Sequence, residues 1–220
     1  MKSRQEIKLQ AKINMEKQRG TAILILLTII VTGVIGGIFG QIPYIGWLIS
    51  LAVSCVAIVV SIGANGAYVS IYQNVLANVN QVISSVQVNF LRKLGGTLWM
   101  ALWVFLWSLL LIVPGIVKAI SYSMTPYILA ECPNVPAMEA LKLSMRMTEG
   151  HKGKLFVAGL SFIGWILLSA LTLYILYIVH VGPYMEATFA GYYLELRNEA
   201  LRNGVIRPEE LGLVAVNQQQ

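Results

Sequence analysis

Two apolar stretches of this sequence are too long to cross a membrane once as straight helices, and this length constrains the fold more than any other feature. At 1.5 Å per residue, residues 97–131 would form a helix roughly 52 Å long, and residues 155–196 one of roughly 63 Å. The hydrocarbon core of a bilayer is only about 30 Å thick. Each stretch is therefore expected to turn back on itself.

Proline and glycine mark the places where the two stretches are expected to reverse. Pro114 lacks a backbone donor and disfavours helix at the residue before it, while Gly115 tolerates the dihedral angles of a tight turn. Gly182 and Pro183 offer the same combination in the second stretch. Two helical hairpins are predicted, and their arms are residues 97–113 and 115–131 in the first, and residues 155–178 and 182–196 in the second.

An earlier hairpin is predicted from residues 21–40 and 44–64, two apolar runs joined by a short turn. Its first arm carries glycines at helical spacing, which allow another helix to approach closely or line a cavity: Gly33, Gly36, Gly37 and Gly40. The whole chain is 57% hydrophobic and 12% charged, far from the composition of a soluble domain. The sequence thus predicts an all-α polytopic membrane protein of about six transmembrane segments, arranged as three hairpins with amphipathic interfacial helices.

Basic residues predict the orientation of these segments. The chain has 16 Lys and Arg against 10 acidic residues, and the basic ones cluster at residues 2–19, 92–93, 142–154 and 197–207. Because Lys and Arg near membrane segments favour the cytoplasmic side, all four clusters are expected there, separated by even numbers of crossings. This predicts a basic cytoplasmic segment over residues 1–20, one membrane domain over 21–198 and a flexible cytoplasmic tail over 199–220, with both termini cytoplasmic.

Some of these basic side chains are expected to contact anionic lipids at the cytoplasmic face. Arg4, Lys8 and Lys12 repeat every four residues, and Lys142 and Arg146 lie on one face of a second amphipathic segment. A solvated segment whose charges only set the topology explains the first three equally well. The chain contains no motif of a nucleic-acid reader, so no nucleic-acid partner is expected.

Two ionisable residues fall inside the apolar arms, Lys118 and Glu186. A charged side chain at the centre of a membrane helix costs about 2.5 to 3.5 kcal/mol on insertion scales, which suggests a partner or an aqueous cavity. Three interpretations stay open: side chains that reach the interface on their own, a structural ion pair, and a transport role.

An enzymatic function is not expected from the residues. The chain has no aspartate, and its two histidines, His151 and His180, are predicted on opposite sides of the membrane. The spacings of metal ligands, of a Ser-His-Asp triad and of a phosphate-binding glycine loop are absent from the sequence. We therefore expect no catalytic residues, no cofactor and no metal.

The order of several segments resembles one known family. These segments are SRQEIKLQA, LWSLLLIVPGIVKAISYSMTPYILAE, ALKLSMRMTEGHKGKLF, LSFIGW and VGPYMEATFAGYY, and they extend from residue 3 to residue 195. The chain resembles the bacterial integral-membrane family catalogued as domain of unknown function 975. The resemblance implies a multi-pass protein of the bacterial cytoplasmic membrane with no established activity, and it transfers no site residues.

Taken with the missing catalytic motifs, this favours a non-enzymatic scaffold or accessory protein that acts through lipid contacts and through a membrane-protein partner or a second copy. A small-solute or ion transporter or channel built on the two proline-broken hairpins is the alternative.

Overall fold

Helices and the segments that connect them make up the part of the chain that the structure describes. The structure is a computed structural model and describes residues 2–212, with every side chain in that range except that of Leu110. Within this range the elements are α1 (Arg4–Lys17), α2 (Arg19–Phe39), α3 (Gly46–Tyr72), α4 (Val79–Gln87), α5 (Phe90–Leu110), α6 (Ile112–Tyr122), α7 (Thr125–Glu131), α8 (Ala137–Thr148), α9 (Lys152–Leu171), a π-helical turn (Tyr177–Val181), α10 (Gly182–Arg202) and a 3₁₀-helix (Pro208–Leu211). The predicted all-α fold is confirmed.

Three of these helices, α2, α3 and α9, are long and apolar enough to cross a membrane. In the most apolar part of each helix, only a small share of the residues is buried inside the protein. This share is 22% in α2, 22% in α9 and 28% in α3. Lipid tails readily cover apolar side chains that the protein leaves exposed, so this surface is compatible with a bilayer. The other predicted spans do not appear as helices of this kind within residues 2–212.

The turn between α2 and α3 lies where the sequence predicts it. The connection covers residues 40–45, and Tyr44 in it has a φ of 68°. The two helices then pack against each other. A Cβ added to Gly36 would lie 3.2 Å from Val53 of α3, so a larger residue here would push the helices apart. Of the four predicted seam glycines, Gly36 and Gly40 face α3, and Gly33 and Gly37 have open space beside them.

The break in the first long stretch comes three residues before the predicted proline turn. Leu111 is extended, with φ −160° and ψ 141°, and separates α5 from α6, which pack against each other. Pro114 lies in the first turn of α6, where a missing N–H is harmless because such groups have no acceptor inside the helix. Gly115 allows α6 to pack closely on α5, since an added Cβ would lie 2.8 Å from the Cα of Ser108.

The arm predicted over residues 115–131 is divided between two helices. It comprises most of α6 and all of α7, with a break at Ser123 and Met124. Eleven residues in α6 reach only about 17 Å along the helix axis, less than a hydrocarbon core. The predicted span is therefore corrected to two shorter helices.

The second predicted turn, at Gly182 and Pro183, lies inside a helix. The chain breaks earlier, after α9, where Leu173 and Tyr174 have φ values of 50° and 62°. A helix resumes at residue 175, and in its π-helical turn the Gly182 N–H donates to the carbonyl of Tyr177. This wider turn accommodates Pro183, which cannot donate a helical hydrogen bond. The predicted arms 155–178 and 182–196 are corrected accordingly.

The main core lies at one end of the apolar helices. There α1, α7, α8, α10 and the second half of α3 pack together, and we name this region the packed layer. Ile7, Ala11 and Met15 of α1 are fully buried in it. The hydroxyl of Tyr193 on α10 donates to Glu131 at 2.7 Å, and Arg197 forms an ion pair with the same carboxylate. These bonds tie α10 to the end of α7.

The tail predicted to be flexible from residue 199 is folded as far as residue 212. Residues 199–202 complete α10, and Ile206 and Leu211 beyond it are 1% and 2% exposed. Arg146 of α8 binds Glu210 at 2.6 Å and also donates to the carbonyl of Val205. Residues 213–220 of the predicted tail lie outside the described residues.

Candidate functional site

Basic side chains from three helices meet around one cavity of about 430 Å³. We name it the basic cavity, and its lining residues are Lys118 and Ser121 of α6, Lys142, Met145 and Arg146 of α8, Glu149 directly after α8, and Lys152 at the start of α9. Lys118, Lys142 and Arg146 were singled out from the sequence for separate reasons, and the structure brings them together here. Four cations and one carboxylate give the cavity a positive lining.

The four cations of the basic cavity differ in how they are neutralised. Lys142 is 3.6 Å from Glu139 on the same helix, and Arg146 is paired with Glu210. Lys118 and Lys152 form no ion pair with any residue in the range 2–212. An anion entering the cavity would thus meet two cations whose charge is not already used by the protein.

Lys118 does not pair with Glu186 among the described residues. Its ammonium lies over the ring of Trp107, 5.2 Å from the centroid, and 6.0 Å from that of Tyr122. Such cation–π contacts stabilise a lysine that is partly removed from water. The structural ion pair, one of the three interpretations left open by the sequence, is therefore not formed in this arrangement.

Glu186 lies in a different environment, on α10 three residues after Pro183. It is partly buried and interacts electrostatically with Tyr68, Tyr127 and Tyr177. The hydroxyl of Tyr68 is not free for it, because it donates to the Ala22 carbonyl at 2.8 Å. Tyrosines of α3, α7 and the π-helical turn therefore lie near enough to Glu186 to interact with its charge.

The basic residues of α1 do not act as one set. The ammonium of Lys8 donates to Ser161 of α9 at 2.6 Å and lies 4.2 Å from the ring centroid of Phe162. Burial lowers the pKa of this lysine. Arg4 and Lys12 are exposed. Lys8 therefore differs from Arg4 and Lys12 in that its partly buried ammonium is bound to α9.

Two residues of the site were missed as individuals. Lys152 was assigned only to a topological cluster, and nothing in its sequence context places it beside Lys118 of a distant helix. Its position at the start of an apolar helix was the available signal, because the free backbone N–H groups of a helix amino terminus attract anions, which a neighbouring lysine would also bind. Tyr192 carries no charge and belongs to no motif, so no pattern in the sequence singles it out. Within residues 2–212 no three histidine, cysteine or acidic side chains come together as metal ligands.

The ion pair between Arg146 and Glu210 is expected to make the folding of residues 203–212 sensitive to acid. Hydrogen bonding from Arg146 lowers the pKa of the Glu210 carboxyl below its ordinary value. A lowered pKa contributes stability above the unfolded value, about 4.3, and this stability is lost as the pH falls through the folded value. Hydrogen exchange, corrected for the intrinsic rate, should show this segment losing protection in acid.

Glu210→Gln should remove the same protection at neutral pH and abolish its pH dependence. Glu209→Gln is the matched control, because Glu209 is exposed and forms no ion pair among the described residues. Equal exchange in both variants would contradict a role for the Arg146 pair.

Comparison with known proteins agrees with this architecture. The chain is an all-helical protein with three helices compatible with crossing a membrane. It belongs to the family of proteins of unknown function DUF975, whose family model matches residues 1–121 and 109–200. The resemblance seen in the sequence is thereby confirmed. No curated protein and no solved structure matches the chain.

Proposed function

We propose that this chain is a non-enzymatic integral protein of a bacterial cytoplasmic membrane, acting as a scaffold or accessory protein. It would do so through contacts with anionic lipids and with a membrane-protein partner or a second copy. The basic cavity carries this proposal, because it gathers four cations beside the start of α9, a candidate membrane helix. Anionic headgroups are concentrated at that boundary and attract nearby Lys and Arg.

The proposed topology has six crossings in three hairpins, with α6 and α7 together forming the fourth crossing and both termini cytoplasmic. Contacts among the four basic clusters support it. Residues of α1 pack on α10, Arg92 donates to the carbonyl of Leu129 beside α8, and His151 is 3.2 Å from Glu199. Contact between clusters is what a common side of the membrane predicts, and a common side requires an even number of crossings between each cluster and the next.

Lipid contact is tested by the effect of anionic lipid on melting temperature. A lipid that binds only the folded state stabilises it by mass action. The wild-type chain in nanodiscs should melt higher when an anionic phospholipid is mixed with phosphatidylcholine than in phosphatidylcholine alone. Lys118→Gln combined with Lys152→Gln should reduce that increment by at least about half, because it removes the two unpaired cations.

Arg19→Gln combined with Arg202→Gln is the matched control, since it removes two exposed charges outside the basic cavity. An equal reduction in both double variants would indicate unspecific attraction and contradict the cavity as the contact. A scaffold role further predicts that another membrane protein, or a second copy, purifies with the chain in a fixed ratio.

The alternative, a small-solute or ion transporter, is favoured by a single observation. Glu186 follows a π-helical turn and lies among three tyrosines. π-helical turns and intramembrane carboxylates both occur frequently at functional sites. Solute flux into liposomes that Glu186→Gln abolishes would favour a transporter. Absence of flux, with a partner in fixed ratio, would favour the scaffold.

A further inference from the structure

A second cavity lies on the other side of the α9 amino terminus, between α9 and the beginning of α1. Its volume is about 530 Å³, and it is lined by Lys2, Ser3, Arg4, Gly153, Lys154, Val157 and Tyr192. We name it the Tyr192 cavity. We propose that this cavity binds a phosphate group through Arg4, Lys154, the first backbone N–H groups of α9 and the hydroxyl of Tyr192.

Two cations of the Tyr192 cavity are available to an anion. Arg4 and Lys154 are exposed, and neither forms an ion pair in the described part of the chain. Lys2 is already occupied, because its ammonium lies 3.2 Å from Glu195 and 3.0 Å from the amide oxygen of Gln10. The positive charge free to act in this cavity therefore comes from Arg4 and Lys154.

The amino terminus of α9 adds donors to these charges. α9 begins at Lys152 and is 20 residues long, whereas the start of α1 is closed by a capping box of Ser3 and Glu6. The first N–H groups of a helix have no acceptor within it, and the helix dipole favours an anion there. The N-cap residue of α9 makes no side-chain cap bond, so the N–H groups of Gly153 and Lys154 are not capped by it. Gly153 has open space where a side chain would stand, which leaves its backbone accessible.

The hydroxyl of Tyr192 is the independent sign of a ligand. Tyr192 is 1% exposed, yet its hydroxyl has no hydrogen-bond partner among the residues that the structure describes. Arg4 interacts with it electrostatically. A buried hydroxyl without a partner is unfavourable, and an oxygen of a ligand in the cavity would accept its hydrogen bond.

Donors with positive charge dominate this lining, and no carboxylate belongs to it. A phosphate group matches such a set, because its several oxygens accept bonds from a guanidinium, an ammonium and backbone N–H groups together. Two sources carry such a phosphate group, a membrane phospholipid and a soluble phosphate ester. Beside the cavity, Phe156, Val157 and Leu160 expose an apolar face of α9 along which an acyl chain would lie. The lipid source rests on the membrane role proposed above, whereas phosphate recognition does not.

Native mass spectrometry of the full chain in detergent tests the site with two lipids that differ only in the phosphate. Phosphatidic acid should bind at least about tenfold more tightly than the matching diacylglycerol, and inorganic phosphate should compete. Arg4→Gln and Lys154→Gln should each weaken phosphatidic acid binding about tenfold, and Tyr192→Phe about fivefold. Arg19→Gln and Tyr44→Phe should bind as the wild type does, because both residues are exposed and lie outside the cavity.

The outcomes distinguish a phospholipid from a soluble phosphate ester as the source of the phosphate, and they show which results would contradict the proposal. Binding of phosphatidic acid identifies a lipid headgroup, and binding of inorganic phosphate alone identifies a soluble phosphate ester. Wild-type affinity in all three cavity variants, or equal losses in the two controls, would overturn the proposal. Tyr192→Phe preserves the shape of the buried ring. If a charge variant fails to fold, the affinity of Tyr192→Phe for phosphatidic acid therefore shows whether the cavity is the binding site. Variants of Lys118 and Lys152 test the basic cavity separately. If they show no lipid contact there, the result for phosphate binding in the Tyr192 cavity can still be interpreted.

Discussion

Arg92→Ala is expected to lower the free energy of unfolding by about 3 kcal/mol, because one guanidinium supports the connection between α7 and α8. Its Nη1 donates to the carbonyl of Leu129 at 3.2 Å, and it also donates to the carbonyls of Cys132 and Val135. The first carbonyl lies in the last turn of α7, where such groups lack a partner within the helix. Removing the guanidinium would leave three acceptors without this donor.

Denaturant titration in mixed micelles measures this loss, and thermal melting should fall by roughly 6 to 12 °C for a chain of this size. Arg92→Lys should recover only part of the stability, because an ammonium lacks the planar set of donors that reaches three carbonyls. Arg19→Ala is the control at an exposed arginine and should change little. A full recovery by lysine would show that charge alone, and not the fork of hydrogen bonds, holds this connection.

Gly191→Ala is expected to cost about 2 kcal/mol, although alanine is ordinarily the better helix former. Gly191 lies in the middle of α10, against the ring of Tyr72 at the end of α3. An added Cβ would meet three ring atoms, including Cδ2 at 2.8 Å. The ring has little freedom to move because Tyr72 is 3% exposed and donates to Gln10. One methyl group should therefore separate α10 from α3.

Gly164→Ala provides a control of opposite sign. Gly164 is exposed on α9 and has no atom within 4 Å of the position of an added Cβ, so alanine there should gain up to about 1 kcal/mol. In a Tyr72→Ala background the cost of Gly191→Ala should largely disappear, which a double-mutant cycle would register as coupling. Stabilisation by both alanines would contradict the packing of α10 on α3.

The two long apolar stretches show where local sequence information ends. That each of them cannot continue as one straight helix follows from its length alone, and each is interrupted in the structure. The site of interruption does not follow from the prolines. Pro183 is accommodated by a π-helical turn, and beside it Gly182 packs so closely on α2 that an added Cβ would lie 2.7 Å from Leu26. Packing between distant helices therefore outweighs the local preference of Gly-Pro for a turn.

In the candidate sites, too, local sequence predicts some features and tertiary packing decides others. Arg4, Lys142 and Arg146 were predicted as basic surface residues from spacing alone, and all three line cavities. Lys8 has the same spacing as Arg4, yet its ammonium is bound to Ser161 of α9. No signal in the local sequence distinguishes these two residues, since the difference depends on which face of α1 meets another helix.

The sequence by itself determined the all-helical fold, the apolar helices α2, α3 and α9, and the family. Helix formation and membrane compatibility depend on composition and on hydrogen bonds within one segment, so short windows contain the information. Only the tertiary structure decided where the two long apolar stretches turn back, that residues 203–212 fold onto α8, and that Lys118 and Lys152 line one cavity. These depend on close packing and charge pairing between residues far apart in the chain, which no local pattern specifies.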